Sequence, residues 1–325
     1  MKNYSIRRYE SSDYEQWNAF ILKAINATFL FHRDFMEYHK DRFEDYSLLV
    51  FEANKLIALL PANAKGTEVF SHQGLTYGGL VYQEKLKLEA VVMIFKEVLS
   101  FLHFQNINSF FVKPIPIIYQ KKPAQELEYA LFLAEAKLYR RDTLSVIDMW
   151  QKLQFTNSRK SGIDKGIANN LEIREEANLE PFWNQILIPN LNEKHNAKPV
   201  HSIEEIMKLK AKFPDNIRQF NVYFENQLIA GTTIFETETV AHSQYISGNE
   251  LKQQLGSVDF LYDFLIKNVF KHKHYFDFGT SNEQSGRKLN TGLSFWKTSF
   301  GASTICQDFY EVETSNFTKL DNVFI

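Results

Sequence analysis

The feature that most constrains this chain is an internal repeat, because sequence patterns of the first half recur in the same order about 170 residues later. Residues 51–58 read Phe-Glu-Ala-Asn-Lys-Leu-Ile-Ala, and residues 224–230 read Phe-Glu-Asn-Gln-Leu-Ile-Ala. Each segment places a turn-forming Asn between two runs in which apolar residues alternate, and that pattern predicts a β-hairpin. The chain is therefore expected to contain two copies of one fold.

Other positions in the two halves match in the same order, which a single chance similarity would not produce. We interpret the series as a duplicated architecture. The matching positions are Ile6-Arg7 with Ile173-Arg174, Trp17-Asn18 with Trp183-Asn184, Leu56 with Leu228, Val69 with Val240, and Phe110-Phe111 with Phe276-Asp277.

Each copy is predicted to contain a strand, helices, a meander of strands, a long helix, another strand and another helix. Apolar residues at helical spacing predict the long helices over residues 84–104 and 257–271. Mixed strands around a long helix indicate an α+β (α/β layered) fold with mixed sheets flanked by helices. We expect a first unit over 1–156, a basic linker over 157–170 and a second unit over 171–325, since 157–170 is polar and lacks periodicity.

Composition excludes several classes of protein. The 37 basic and 39 acidic residues give a net charge of −2, so no overall basic excess points to DNA. The single cysteine, Cys306, cannot form an internal disulfide. His272 and His274 alternate with lysines, as at a basic helix end, so we do not interpret them as metal ligands and expect no metal site. No signal peptide and no apolar stretch long enough to span a bilayer are recognisable, which predicts a cytoplasmic protein.

The order of a meander, a strand, a Gly-containing loop, a long helix and another strand resembles the GNAT (N-acetyltransferase-like) fold. Two such units in one chain resemble the FemAB-type branch of acyltransferases, and this resemblance covers nearly the whole sequence. Three segments are similar to motifs of that branch. They are Asn-Ser-Arg-Lys-Ser-Gly-Ile-Asp-Lys-Gly-Ile at 157–167, Phe-Asp-Phe-Gly at 276–279, and Leu-Ser-Phe-Trp-Lys-Thr-Ser-Phe-Gly at 293–301.

The resemblance implies an N-acyltransferase that uses acyl-CoA or acetyl-CoA as donor. The acceptor would be an amine of a small molecule, an amino sugar or a cell-wall precursor, and transfer would be direct, which fits the lack of an obvious nucleophile constellation. The working cleft would lie mainly in the second unit, and the first unit would be a degenerate copy.

Two alternatives remain open from the sequence. The FemAB branch also uses aminoacyl-tRNA donors, but the net charge and the absence of a coiled-coil arm disfavour tRNA as a partner. The chain could also be a non-catalytic binding protein with a GNAT fold. Residues 253–258, Gln-Gln-Leu-Gly-Ser-Val, favour this because they lack the second small residue of the family's acyl-CoA loop.

The candidate donor site lies in the loop before the second long helix, because a helix N-terminus offers unpaired N–H groups and a positive dipole end to an anion. Gly256 would let the backbone approach a pyrophosphate closely, and Ser257 could cap the helix. The resemblance adds Gln254 and Ser247 to the expected donor contacts. The alternative is a capped helix that binds no ligand.

The candidate substrate-binding residues, most of them basic, are Arg159, Lys160, Trp296 and Lys297. Arg159 and Lys160 could hold a phosphorylated donor or acceptor, unless they are simply solvated charges. Lys297 follows Trp296 within an aromatic segment, so it either extends its amine to solvent or points into a cleft. By resemblance it would face donor or acceptor phosphates.

The candidate catalytic residues are Asp277 and Tyr245. Asp277 interrupts an apolar strand, so its carboxylate must be hydrogen-bonded or must lie in a cleft. In the first case its partner would be the backbone or Lys297. In the second case it would orient the acceptor amine. Tyr245 is near the end of the strand before the donor loop. The resemblance implies a place close to the reacting carbonyl, and the alternative is an ordinary tyrosine of the sheet face.

Overall fold

The computed structural model describes residues 3–325, except for the side chains of Lys194 and His195. The chain folds into two compact units. The first unit takes the chain up to Asp142 together with Ser285–Arg287 and Cys306–Ile325, and the second takes Thr143–Gln284 and Lys288–Ile305. This division differs from the expected boundaries at residues 156 and 171, because two long strands begin in one unit and end in the other.

Strands and α-helices are numbered separately in chain order. The strands are β1 (Tyr4–Arg8), β2 (Glu44–Asp45), β3 (Leu48–Glu52), β4 (Lys55–Leu60), β5 (Asn63–Lys65), β6 (Glu68–Phe70), β7 (Val81–Tyr82), β8 (Ser109–Val112), β9 (Lys137–Asp148), β10 (Glu172–Glu176), β11 (Ile217–Phe224), β12 (Gln227–Glu236), β13 (Val240–Gly248), β14 (Tyr275–Thr280), β15 (Asn282–Glu283), β16 (Lys288–Leu289) and β17 (Ser303–Glu313). The α-helices are α1 (Tyr14–Lys23), α2 (Arg33–Met36), α3 (Leu88–Phe104), α4 (Glu126–Leu133), α5 (Asn157–Ala168), α6 (Glu180–Phe182), α7 (Ile188–His195), α8 (Ile203–Lys212), α9 (Lys252–Leu255), α10 (Ser257–Phe264) and α11 (Thr291–Thr298). Among residues 3–325, no helix is long and apolar enough to cross a membrane.

Each unit contains mixed β-structure flanked by helices, as the sequence predicts. In the first unit the strand orders are β1-β3-β4-β7 and β17-β8-β6-β5-β2, with a parallel pair between β6 and β8. In the second unit the order is β10-β11-β12-β13-β14-β9, with a parallel pair between β13 and β14. The predicted α+β class is therefore confirmed.

The strand register confirms the duplication at the level of single residues. Ile6 of β1 lies opposite Val50 of β3, and Ile173 of β10 lies opposite Val222 of β11. Both predicted hairpins, β3–β4 and β11–β12, have a register shift directly after that valine. The same irregularity at the same place in both units is expected if one architecture occurs twice, because β-bulges are retained features of a fold.

The core of the second unit forms between its sheet and α10. Leu261, Tyr262 and Leu265 are fully buried and belong to one apolar cluster with Phe220 and Phe276. Burial of each such side chain stabilises the fold by roughly 1.5–3 kcal/mol. The helix predicted over 257–271 is confirmed as α10 continued by a π-helical turn, Leu265–Val269.

The segment expected as a basic linker over 157–170 is helical for most of its length, because residues 157–168 form α5. Gly162 and Gly166 face α10: a Cβ at Gly162 would lie 2.0 Å from Asp259 Oδ2, and one at Gly166 would lie 2.5 Å from the Cβ of Phe260. The glycines that suggest a loop in the sequence thus permit close contact between two helices. Because glycine replaces apolar residues on the contact face, the helix shows no apolar periodicity.

Candidate functional site

The candidate site lies where two parallel strands of the second unit stop pairing. β13 pairs with β14 only from Val240 to His242, and the last pair joins His242 to Asp277. β13 then continues to Gly248 and β14 to Thr280 without further pairing between them. The strands therefore leave an opening beyond their last pair, at their carboxyl ends, where ligands of parallel α/β sheets commonly bind.

A register irregularity changes the direction of side chains along β13. Opposite β12, Ser243 pairs with Ile234 and Tyr245 pairs with Thr233, which leaves Gln244 as an extra residue. Ser243 consequently hydrogen-bonds Tyr262 of α10, whereas the hydroxyl of Tyr245 lies 2.6 Å from Nδ1 of His201. Bulges redirect side chains in this way.

Tyr245 is a buried residue of the sheet face rather than a residue of the cavity wall. Its ring packs edge-on against Trp183 with 4.9 Å between the ring centroids. Its position next to the bulge still places it on the segment of β13 that leaves β14.

A cavity of about 600 Å³, within the range of small-molecule sites, borders the last residues of β13, and no residue of β14 is among those that line it. Its lining residues come from α5, α7 and the turn before α7, from α9, α10 and the glycine between them, and from α11 and the end of β13. The lining residues are Ser158, Arg159, Ser161, Gly162, Lys165, Leu187, Asn190, Leu191, Ile246, Ser247, Gly248, Lys252, Gln253, Gly256, Val258, Asp259, Leu293 and Trp296.

The charged residues of the cavity wall are mostly cationic. Arg159, Lys165 and Lys252 line the cavity, and Asp259 is the acidic residue among the lining residues. Arg159 Nη1 donates a hydrogen bond to Asp259 Oδ1, and Trp296 Nε1 donates to the same oxygen at 3.3 Å. Burial raises the pKa of Asp259, and the positive charge of Arg159 opposes that shift. Asp259 is not among the residues that the sequence predicts for the site.

The structure brings four of the predicted site residues together: Arg159, Ser247, Gly256 and Trp296 all line the cavity. Gly256 has φ +67, and a Cβ there would lie 1.9 Å from the carbonyl oxygen of Gly162. Close approach of α5 therefore explains this glycine independently of any ligand.

The other residues predicted near the donor lie outside the cavity lining. Lys160 and Gln254 are exposed. Ser257 does not cap α10 as expected, because the left-handed Gly256 occupies the N-cap position and Ser257 is the first helical residue. Its hydroxyl is buried without a hydrogen-bond partner.

Asp277 of β14 and Lys297 of α11 both have hydrogen-bond partners at the end of β14, and neither residue lines the cavity. The buried Asp277 places Oδ2 2.9 Å from His242 Nδ1, and its Oδ1 accepts the Gly279 N–H at 2.7 Å. Lys297 Nζ donates to the carbonyl oxygens of Gly279 and Thr280 at 3.0 and 2.6 Å. Burial lowers the pKa of Lys297 to about 8, against the opposing charge of Asp277.

His242 is the residue at this cluster that the sequence does not single out for function. Gly279, with φ +69, leaves room for its imidazole, since a Cβ there would lie 3.2 Å from His242 Cε1. The signal that could have identified His242 is the β13–β14 register, which places it directly opposite Asp277. Among the side chains that the structure describes, no three His, Cys, Asp or Glu residues are grouped to hold a metal ion.

No family model and no curated protein matches the sequence. Solved structures do match over nearly the full length. A tandem GNAT protein from the clavulanic acid biosynthesis pathway is 8% identical, with a TM-score of 0.53 and coverage of 96% of this chain and 99% of that chain. The fold is a tandem of two GNAT-like units.

Two further structures support this tandem GNAT-like fold. FemX is 10% identical with a TM-score of 0.67, covering 98% of this chain and 99% of FemX. L-PGS from Bacillus licheniformis is 11% identical with a TM-score of 0.61, covering 97% and 96%. At these identities the likeness establishes the fold alone. In this tandem GNAT-like chain, β13, the Gly256 loop, α10 and β14 are the strand, loop, helix and strand that the resemblance predicts.

Proposed function

We propose that this chain is an N-acyltransferase that moves an acyl group from an acyl-CoA to the amine of a small molecule, an amino sugar or a cell-wall precursor. Transfer is direct and occurs in the second unit, and the first unit is a degenerate copy. The observation that carries the proposal is the cavity at the carboxyl end of β13, with the N-terminus of α10 and three basic side chains in its wall.

The cavity wall fits the two chemical parts of an acyl-CoA. Arg159, Lys165 and Lys252 offer positive charge to phosphates, and the first N–H groups of α10 add a partial positive charge. Leu187, Leu191 and Ile246 offer apolar surface to the chain that carries the acyl group. Acetyl-CoA and longer acyl-CoAs are therefore the donors to test first.

The strand-end cluster supplies a group that can take the proton of the attacking amine. With its Nδ1 hydrogen held by Asp277, the imidazole of His242 presents Nε2 as its basic nitrogen. The neutral amine then forms the new C–N bond, its proton passes to His242, the thioester C–S bond breaks, and CoA leaves as a thiolate that takes up a proton in turn. Asp277 acts by orienting the imidazole.

The backbone of β13 supports the second requirement of acyl transfer, which is stabilisation of the carbonyl oxygen as negative charge develops. Beyond His242 the N–H groups of β13 no longer pair with β14, so this segment is the place where such donors can face a substrate. We propose that Tyr245 helps to hold the bulge next to this segment, and that Lys297, through Gly279 and Thr280, fixes the end of β14.

The test is a thermal shift measurement with acetyl-CoA and longer acyl-CoAs. A donor present at 100 times its dissociation constant adds about 2.7 kcal/mol to the stability of the folded state. We expect Arg159→Gln to weaken this effect. Arg174→Gln should leave it unchanged, because the side chain of Arg174 is 41% exposed and does not line the cavity. The absence of a shift with every acyl-CoA would reject the proposal.

An aminoacyl-tRNA donor is the second candidate, favoured by the similarity to the FemAB branch and by the overall likeness to FemX. The net charge of −2 argues against it, because tRNA binding depends on neutralising many phosphates. A gel shift with aminoacyl-tRNA that persists at moderate salt, together with no response to any acyl-CoA, would favour this donor.

A further inference from the structure

Asp259 holds a position that an anionic ligand of the cavity would be expected to occupy. It lies in the first turn of α10, where negative charge is favourable, and it faces the guanidinium of Arg159. Gly162 makes this arrangement possible, because any side chain there would collide with Asp259 Oδ2. The carboxylate is thus packed against the backbone of α5 and also lines the cavity.

The guanidinium of Arg159 is only partly satisfied by this pair. Nη1 donates to Asp259 and Nη2 donates to Ser158 Oγ at 3.0 Å, whereas Nε is buried without a hydrogen-bond partner. The planar fork of an arginine suits the paired oxygens of a phosphate. The contacts with Asp259 and Ser158 therefore leave one donor of the Arg159 guanidinium unsatisfied.

We propose that Asp259 is an internal counter-ion that occupies Arg159 until a phosphate of the donor replaces it, and that it thereby weakens the affinity of the cavity for anions. This inference rests on the proposed function and adds a residue that sets donor affinity. The side chains of Arg159 and Asp259 are 16% and 14% exposed, so solvent screens the repulsion between Asp259 and an entering phosphate only in part.

The rival interpretation is that Asp259 positions Arg159 for the ligand. The two interpretations predict opposite signs for Asp259→Asn, which keeps the size of the side chain and an oxygen acceptor for Trp296 but removes the negative charge. If Asp259 competes with the ligand, the variant binds anions more tightly. If Asp259 positions Arg159, the variant binds them more weakly.

The experiment measures the dissociation constants of CoA and of inorganic pyrophosphate by calorimetry, with circular dichroism to verify folding. For Asp259→Asn we expect both ligands to bind at least about tenfold more tightly than to the unchanged protein, which corresponds to about 1.4 kcal/mol. The matched control is Asp263→Asn, one turn later on the same helix. Asp263 pairs with Lys267 and does not line the cavity, so that variant should bind like the unchanged protein.

A double-mutant cycle assigns the effect to the pair. Combining Asp259→Asn with Arg159→Gln should abolish most of the gain in affinity, because the nitrogen that Asp259 releases is then absent. If Asp259→Asn fails to fold, Asp259→Ser, which also removes the charge, takes its place in the same cycle.

Two results would overturn the inference in different ways. Equal or weaker binding by a folded Asp259→Asn protein overturns the counter-ion role and leaves the proposed donor site intact. No binding of CoA or pyrophosphate by the unchanged protein or by the variant overturns the donor site itself, and the counter-ion role with it.

Discussion

Substitution of Gly256 by alanine tests whether the contact between α5 and α10 determines the stability of the second unit. Because alanine disfavours the left-handed conformation at φ +67, this backbone strain alone lowers the free energy of unfolding by about 1 kcal/mol. Its Cβ would in addition lie 1.9 Å from the carbonyl oxygen of Gly162, which belongs to the backbone and cannot rotate away. Moving the helices apart costs roughly 1–3 kcal/mol by the usual penalty for overpacking. We therefore expect a total loss of about 2–4 kcal/mol in the free energy of unfolding.

Gly66 provides a matched control for this substitution. It has φ +61, and no atom lies within 4 Å of a Cβ built there, so Gly66→Ala should lose only the conformational part, about 1 kcal/mol. Urea denaturation followed by circular dichroism and by tryptophan fluorescence measures both variants and reveals separate unfolding of the two units. A loss for Gly256→Ala no larger than that for Gly66→Ala would refute the claim that α5 and α10 are held this closely.

Three further predictions concern the strand-end cluster and the core. Because burial lowers the pKa of Lys297 to about 8 from its usual value of 10.5, the native state loses this proton at lower pH than the unfolded state. The stability of the unchanged protein relative to Lys297→Met should therefore rise between about pH 8 and pH 10, and denaturation at both values measures it. For His242→Gln we expect kcat to fall by about 10²-fold or more with little change in KM, measured as CoA release once a donor and an amine are found. Tyr262→Phe should cost about 1–2 kcal/mol in thermal unfolding, since the buried Ser243 hydroxyl loses its partner on α10; an unchanged melting temperature would contradict that bond.

The parts of the fold that the sequence predicts are those whose signals are local. The hairpins at residues 51–58 and 224–230 follow from alternation on either side of a turn residue, and both occur with the same register shift. The duplication follows because these local signals recur in the same order. The long helices are predictable for the same reason, although α3 begins at Leu88, after the extended Lys87.

The helical structure of α5 could not be predicted from the sequence, because the two glycines of this segment are explained only by its contact with α10. In isolation, Gly162 and Gly166 in a polar segment indicate a loop. Only the presence of α10 at close range explains them, since the space that their missing side chains leave is filled by Asp259 and Phe260. Local signals therefore predict the wrong structure for the segment that forms one wall of the cavity.

The candidate site shows the same limit. Arg159, Ser247, Gly256 and Trp296 line the cavity as the resemblance implies, but the pairing of His242 with Asp277 depends on the register of two strands far apart in sequence. Asp259 does not stand out in the sequence, because an acidic residue in the first turn of a helix already has an ordinary local explanation.

The close contact of α5 with α10 and the electrostatics of the cavity have a common origin. Gly162 and Gly256 allow α5 to approach the start of α10, and this approach brings Arg159 of one helix against Asp259 of the other. Any change that moves the helices apart must also alter that ion pair. Gly256→Ala should consequently change the affinity for pyrophosphate as well as the stability, whereas Gly66→Ala should change stability alone. A Gly256→Ala protein that is destabilised but binds pyrophosphate with unchanged affinity would show that the ion pair does not depend on the helix contact.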